Sequence, residues 1–119
     1  MANPEHLEKF KQGSEVWNEW RDEHSNLIPD LSEANLVGQS HAGEDGTVHH
    51  DIPLGARANL TGYDFSYANL QNACLSDALL NYANLIFSDL SGSLLDGANL
   101  ERAKMHDSNL RDANLEGAN

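Results

Sequence analysis

The residues best suited to chemistry in this sequence are His41, Glu44, Asp45, His49, His50 and Asp51. Imidazole and carboxylate together form the donor set of a divalent transition-metal site or a metal-assisted hydrolase. Their spacing matches no defined ligand pattern, and adjacent His49 and His50 point opposite ways if the chain is extended. With Gly43, Gly46, Pro53 and Gly55 interleaved, residues 39–57 read as a solvated loop, with a short extended piece near Val48. No metal and no other cofactor is expected. Cys74 is the sole thiol, so no internal disulfide can form, and no motif pairs it with a His or Lys that would activate it. Paired carboxylates in a shielded pocket and a phosphate-cradling glycine loop are both missing, so the sequence argues against an enzyme.

What must position any functional surface is a repeat. From Leu60 onward every fifth residue is Leu60, Phe65, Leu70, Leu75, Leu80, Leu85, Leu90, Leu95, Leu100, Met105, Leu110 and Leu115. Two residues before these stand Ala or Ser, from Ala58 and Ala68 to Ala113, with Tyr63 as the exception. A period of five fits neither an α-helix nor a simple strand. It fits one side of a square coil, in which the large residue and the small one before it point inward and a turn closes each corner. Four sides make twenty residues, so Leu60, Leu80 and Leu100 fall in one column, and three further columns follow from Phe65, Leu70 and Leu75. Residues 58–119 then form about three coils, roughly 15 Å tall at the usual strand separation.

The runs Ala58-Asn59-Leu60, Ala68-Asn69-Leu70, Ala83-Asn84-Leu85, Ala98-Asn99-Leu100 and Ala113-Asn114-Leu115 resemble the pentapeptide-repeat proteins. That resemblance implies an all-β solenoid, a right-handed quadrilateral β-helix, and it alone supplies the handedness. It implies little about activity. Trp17-Asn18-Glu19-Trp20-Arg21, followed by the segment from Pro29 to Leu36, also resembles leader regions of cyanobacterial members.

Ahead of the repeat, Leu7, Phe10, Trp17 and Trp20, with Val16 at the margin, fall on one helical face between residues 5 and 21. Asn3 and Pro4 suit the N-cap and first helical position, while Gly13 weakens the interior by about 1 kcal/mol. The open end of a solenoid needs a cover, so residues 1–28 are expected to be one capping helix, with Trp17 and Trp20 as a lid that meets Tyr63. Residues 29–57 read as an irregular first coil with a loop insertion. Leu31 and Leu36 begin that coil, one residue out of phase with the later repeats. The sequence stops in mid-repeat at Asn119, which suggests continuation or end-to-end association.

Charge narrows the choice of partners. The formal net charge is −12, from 19 acidic and 7 basic residues, which disfavours direct binding to nucleic acid. No secretory signal and no apolar run long enough to span a membrane is present, so a cytoplasmic location is expected. Neither a membrane nor a small-molecule substrate is indicated as a partner. Outward positions are mostly polar, except that Leu79, Tyr82, Ile86 and Phe87 cluster on the second coil, with Tyr67 stacked on Phe87 from the adjacent first coil and Leu94 further round. Such a contiguous patch marks a surface for a protein partner, for self-association, or for the fold-back of a loop. The expected function is a non-enzymatic scaffold for protein interaction. The alternative is a DNA-mimicking inhibitor of a DNA-binding enzyme such as gyrase, against which stands the short coil and its charge of only −5 between residues 58 and 119.

Overall fold

The computed structural model describes residues 1–37 and 57–119. In the repeat, each side of the coil follows the same five-residue rule. A small residue points inward, the next pairs with neighbouring coils, a large residue fills the core, one points outward, and the fifth turns the corner. The corner residue has positive φ, as at Gly62 (74°), Tyr67 (62°), Asn72 (59°) and Asp77 (61°). The N–H that follows donates back to the carbonyl of the large residue, as in Tyr63 N to Leu60 O at 3.3 Å and Ala78 N to Leu75 O at 3.1 Å. Positive φ at the third turn position alone is the type II pattern.

Pairing between coils is parallel and recurs at twenty residues: Asn59 with Leu79, Asp64 with Asn84, Asn69 with Asp89, Cys74 with Leu94, and onward to Leu94 with Asn114. The side chains that this register superimposes are those of the expected columns. Leu70, Leu75, Leu80, Leu85, Leu90 and Leu95 are all fully buried. An all-β solenoid was expected, but among the described residues the pairing consists of isolated bridges rather than continuous strands. The cause is geometric. With a corner every five residues, each side holds only a short extended stretch and contributes one bridge residue. Four faces result: face 1 (residues 58–62, 78–82, 98–102), face 2 (63–67, 83–87, 103–107), face 3 (68–72, 88–92, 108–112) and face 4 (73–77, 93–97, 113–117).

The single expected helix is in fact two, α1 (Pro4–Lys11) and α2 (Ser14–Glu23). Gly13 has φ +101°, outside any helix, and its carbonyl accepts from Trp17 N as the start of α2. The elbow lets two side chains reach the core that one straight helix would hold apart. Phe10 and Trp17 are both fully buried and meet edge-on, with centroids 6.1 Å apart at 85°. The lid also differs from expectation. Phe10 and Trp17 lie on Tyr63, at 5.1 and 6.4 Å, and the Tyr63 hydroxyl donates to Phe10 O at 3.1 Å. Burial pushes the Tyr63 phenol up to about 12. Trp20 lies to the side, between His6 (5.1 Å) and His24 (5.5 Å).

The upper edge of the coil is completed in two ways. Above faces 3 and 4 runs a partial coil, with Asp30 paired to Asn69 and Asn35 to Cys74. These partners are 39 residues apart (69 less 30) rather than 20, which is the one-residue phase slip of Leu31 and Leu36. Above face 2 and its first corner, side chains of α2 take the place of a missing coil. Trp17 Nε1 donates to Asp64 O (2.6 Å), Asn18 Nδ2 to Gly62 O (3.0 Å) and Arg21 Nη2 to Ser66 O (2.7 Å), while Asn18 Oδ1 accepts from Asp64 N (2.9 Å). Edge carbonyls that would otherwise lack donors are thereby satisfied.

Candidate interaction face

The corner positions decide what the solenoid shows to solvent, because a residue with positive φ at an outer corner projects its side chain. Gly, Asn and Asp tolerate that conformation best. They occupy most corners here, and at two of them a side chain would have to displace a neighbouring one. A Cβ at Gly92 would run into the Asn72 side chain one coil above, and one at Gly97 into that of Asp77. Three corners break the pattern with large aromatic residues: Tyr67 (φ 62°), Tyr82 (63°) and Phe87 (60°). Bulky residues in this region carry strain of order 1 kcal/mol or more. Burial does not offset it, since the three are 56%, 62% and 50% exposed. Tyr67 and Phe87 share one corner column and stack nearly parallel, with centroids 5.2 Å apart at 13°.

The other residues of the expected patch lie around these rings. Ile86 sits on face 2 next to Phe87 and is half-buried, and Leu79 sits half-buried on face 1, ahead of Tyr82. Tyr82 and Phe87 therefore bracket the second coil of face 2. Leu94, although 44% exposed, pairs with Cys74 on face 4, the opposite side of the square, and does not extend the patch. The sequence reading missed a band of cations beneath. Lys104 pairs with Asn84 on face 2, and in the same register Arg102 falls under Tyr82 and His106 under Ile86. Arg102, Lys104 and Arg111, the three Lys and Arg residues of the repeat, all belong to the third coil. Among the described residues none of them forms an ion pair. The signal was available by applying the twenty-residue register to charges as well as to leucines.

Also missed was the work done by the Asn and Asp residues that stand directly before most of the large ones. These side chains accept the backbone N–H two residues on, as in Asn84 Oδ1 from Ile86 N (3.1 Å), Asp89 Oδ1 from Ser91 N (3.0 Å) and Asn99 Oδ1 from Glu101 N (3.0 Å). Such Asx turns stiffen the corners that carry Tyr67 and Phe87. At Asp89 burial alone would raise the carboxyl, but donors from Gln71 and from the Ser91 side chain and backbone outweigh it and hold the carboxyl low.

The other sequence candidates gather into no site. His41, Glu44, Asp45, His49, His50 and Asp51 lie outside the described residues. Among the described residues no three His, Cys, Asp or Glu side chains come together as a metal site would need. Cys74 Sγ lies 3.8 Å from Ser76 Oγ. No described helix is long and apolar enough to cross a membrane.

Comparison with known proteins agrees with the coil. The family model for pentapeptide repeats matches residues 56–81 and 82–119, eight copies covering more than half of the chain. The chain belongs to the pentapeptide-repeat family. Among solved structures it is similar to a pentapeptide repeat protein of the Arabidopsis thaliana thylakoid lumen, at 30% identity and TM-score 0.32 over 72% of this chain and 53% of that one. HetL of the cyanobacterium Nostoc, described as involved in heterocyst differentiation regulation, shows 28% identity and TM-score 0.27 over 77% of this chain and 47% of its own. A cyanobacterial pentapeptide repeat protein from Cyanothece shows 23% identity and TM-score 0.26 over 85% and 91%. This pentapeptide-repeat chain thus spans about half the length of the Arabidopsis protein and of HetL. No curated protein matches it.

Proposed function

We propose that this pentapeptide-repeat protein is a non-enzymatic scaffold that binds another protein through face 2 and its two corners. The coil is taken to be a right-handed quadrilateral β-helix, as the family resemblance implies, capped by α1 and α2. The observation that carries the reading is the placement of three large aromatics at exposed corners of positive φ. Strained backbone positions cluster at functional sites, and exposed aromatics are favoured anchors at interfaces. Among the described residues the inside of the coil is filled by its leucine columns, so binding falls to the outer surface. Mimicry of DNA has less support, since the coil carries its cations together on one coil instead of a regular negative array.

Site-specific photocrosslinking in cells tests this. A benzoyl-phenylalanine placed at position 82 should yield a discrete crosslinked species, and the same probe at position 94, on the opposite face, should not. Equal crosslinking from both positions, or none from position 82, overturns the reading.

A further inference from the structure

We infer that face 2 takes a short, extended, acidic segment of a partner protein that carries an apolar or aromatic side chain. This rests on the reading of face 2 as the binding surface and adds the chemistry of what it binds. Two bands lie one above the other. The upper band is apolar: Tyr67 stacked on Phe87, half-buried Ile86, and Tyr82 at the far corner. The lower band is cationic, with Arg102 and Lys104 forming no ion pair among the described residues and His106 beside them. Asp107 below Phe87 and Glu101 next to Arg102 border the band on either side.

Two cations side by side are out of keeping with the acidic balance of the rest of the molecule. Face 4 carries Asp77, Asp96 and Glu116 and no Lys or Arg, and α1 and α2 together hold six acidic residues against three basic. On a chain of net charge −12, face 2 is where a carboxylate can approach two positive side chains directly. An aromatic or aliphatic anchor would lie against the ring stack while neighbouring Glu or Asp residues reach Arg102 and Lys104, contacts that are short-range and only partly screened by salt.

Size decides between kinds of protein occupant. Face 2 measures roughly 15 Å along the axis and about 10 Å across, from the strand spacing and rise. That is far below the ~800 Å² per partner that a stable globular interface or dimer buries. It matches an extended segment of about five residues at ~3.3 Å each. Nucleic acid is disfavoured, because Arg102 and Lys104 could neutralise only about two phosphates, too few to overcome the repulsion of so acidic a chain.

The test uses the whole chain and three fluorescein-labelled probes: the peptide Glu-Phe-Glu-Leu-Glu-Phe-Glu, the same peptide with Lys for every Glu, and a seven-nucleotide oligothymidine. Fluorescence anisotropy should show saturable binding of the Glu peptide alone. Phe87→Ser and the pair Arg102→Gln with Lys104→Gln should each weaken it at least tenfold, and Leu94→Ser should leave it unchanged. Circular dichroism melts of each variant identify any that fail to fold, and Tyr82→Ser, at the most exposed of the three rings, then serves in place of Phe87→Ser. Tighter binding of the oligothymidine or of the Lys peptide, binding indifferent to these substitutions, or no binding of the Glu peptide overturns the inference. Photocrosslinking from position 82 that persists in that event leaves the scaffold reading standing with a partner of other chemistry.

Discussion

Nδ1 of His6 accepts a hydrogen bond from Asp30 N at 2.8 Å, which ties α1 to the partial coil through an imidazole that is almost wholly buried. Burial is the main influence on that ring and lowers its pKa; Asp30 and Glu5 pull it upward less strongly, and Arg21 pushes it down. The sign follows. A neutral ring is favoured in the fold, so the stability it contributes is complete above the ordinary imidazole value near 6.5 and is lost as pH falls through the lower folded value. A protonated Nδ1 has no lone pair for Asp30 N. The thermal midpoint should therefore drop by about 4–8 °C for each kcal/mol lost as pH is lowered from 7.5 to 5. His6→Asn, which offers Oδ1 in place of Nδ1, should flatten that slope, and subtracting the two profiles removes the other histidines. A variant with an unchanged slope refutes the assignment. The Asx corners give a second residue-scale prediction, of opposite sign at two positions. Asn84→Ala removes the acceptor for Ile86 N and should cost about 1 kcal/mol in urea denaturation. Leu94 stands at the equivalent position, is 44% exposed and cannot accept, so Leu94→Asn should add about 0.5–1 kcal/mol.

At the scale of elements, α2 matters because its side chains stand in for backbone. Trp17 fills the mouth of the coil and also donates Nε1–H to Asp64 O at 2.6 Å. The two contributions separate by substitution. Trp17→Phe keeps most of the packing but strands a carbonyl, at a cost of about 1–3 kcal/mol. Trp17→Ala removes both and should cost about 3–5 kcal/mol. Denaturation followed by far-ultraviolet circular dichroism measures each, and a Trp17→Phe variant as stable as the parent would show that the hydrogen bond contributes nothing. This cap also marks where sequence reasoning stopped. The five-residue period was legible because it records an inward-facing requirement that every coil imposes equally. The elbow at Gly13 was not, because a helix-weakening glycine and a helix-ending one look alike until Phe10 and Trp17 must reach the same Tyr63. The aromatics at residues 67, 82 and 87 were legible as exceptions to polar outward positions. The strain of their corners was not, since φ is set by the turn and not by the residue that occupies it. Arg102 and Lys104 were hidden for another reason: scattered charges carry no period, and only the register of coil on coil gathers them under Tyr82 and Asn84.

For the whole molecule, the consequence of stacking is that each coil is stabilised only by the coils it touches. The structure grades accordingly along its axis. Leu80 and Leu90, in the second coil, are fully buried, whereas Leu100, Met105 and Leu110 of the third are only partly so and Leu115 is 40% exposed. Backbone pairing, by contrast, is as regular at this end as above it. Leu80 N donates to Asn99 O at 2.8 Å and Leu90 N to Asn109 O at 2.7 Å, linking the second coil to the third. A globular core of this size would unfold as one unit, and the position of a cavity in it would matter mainly through local burial. Here position also decides what unfolds. Leu80→Ala opens a cavity between coils and should cost about 2–5 kcal/mol, lowering the midpoint of the entire transition. Leu110→Ala touches a residue that is already partly solvated and should cost about 1 kcal/mol or less globally. Its effect should instead appear as faster amide hydrogen exchange confined to the third coil, Asn109 N among the reporters, because opening of that coil leaves the cap and the first coil paired. Hydrogen exchange read residue by residue distinguishes the two cases. Uniform acceleration along the whole axis in Leu110→Ala would mean that the coils unfold together and that nearest-neighbour stacking does not describe their stability.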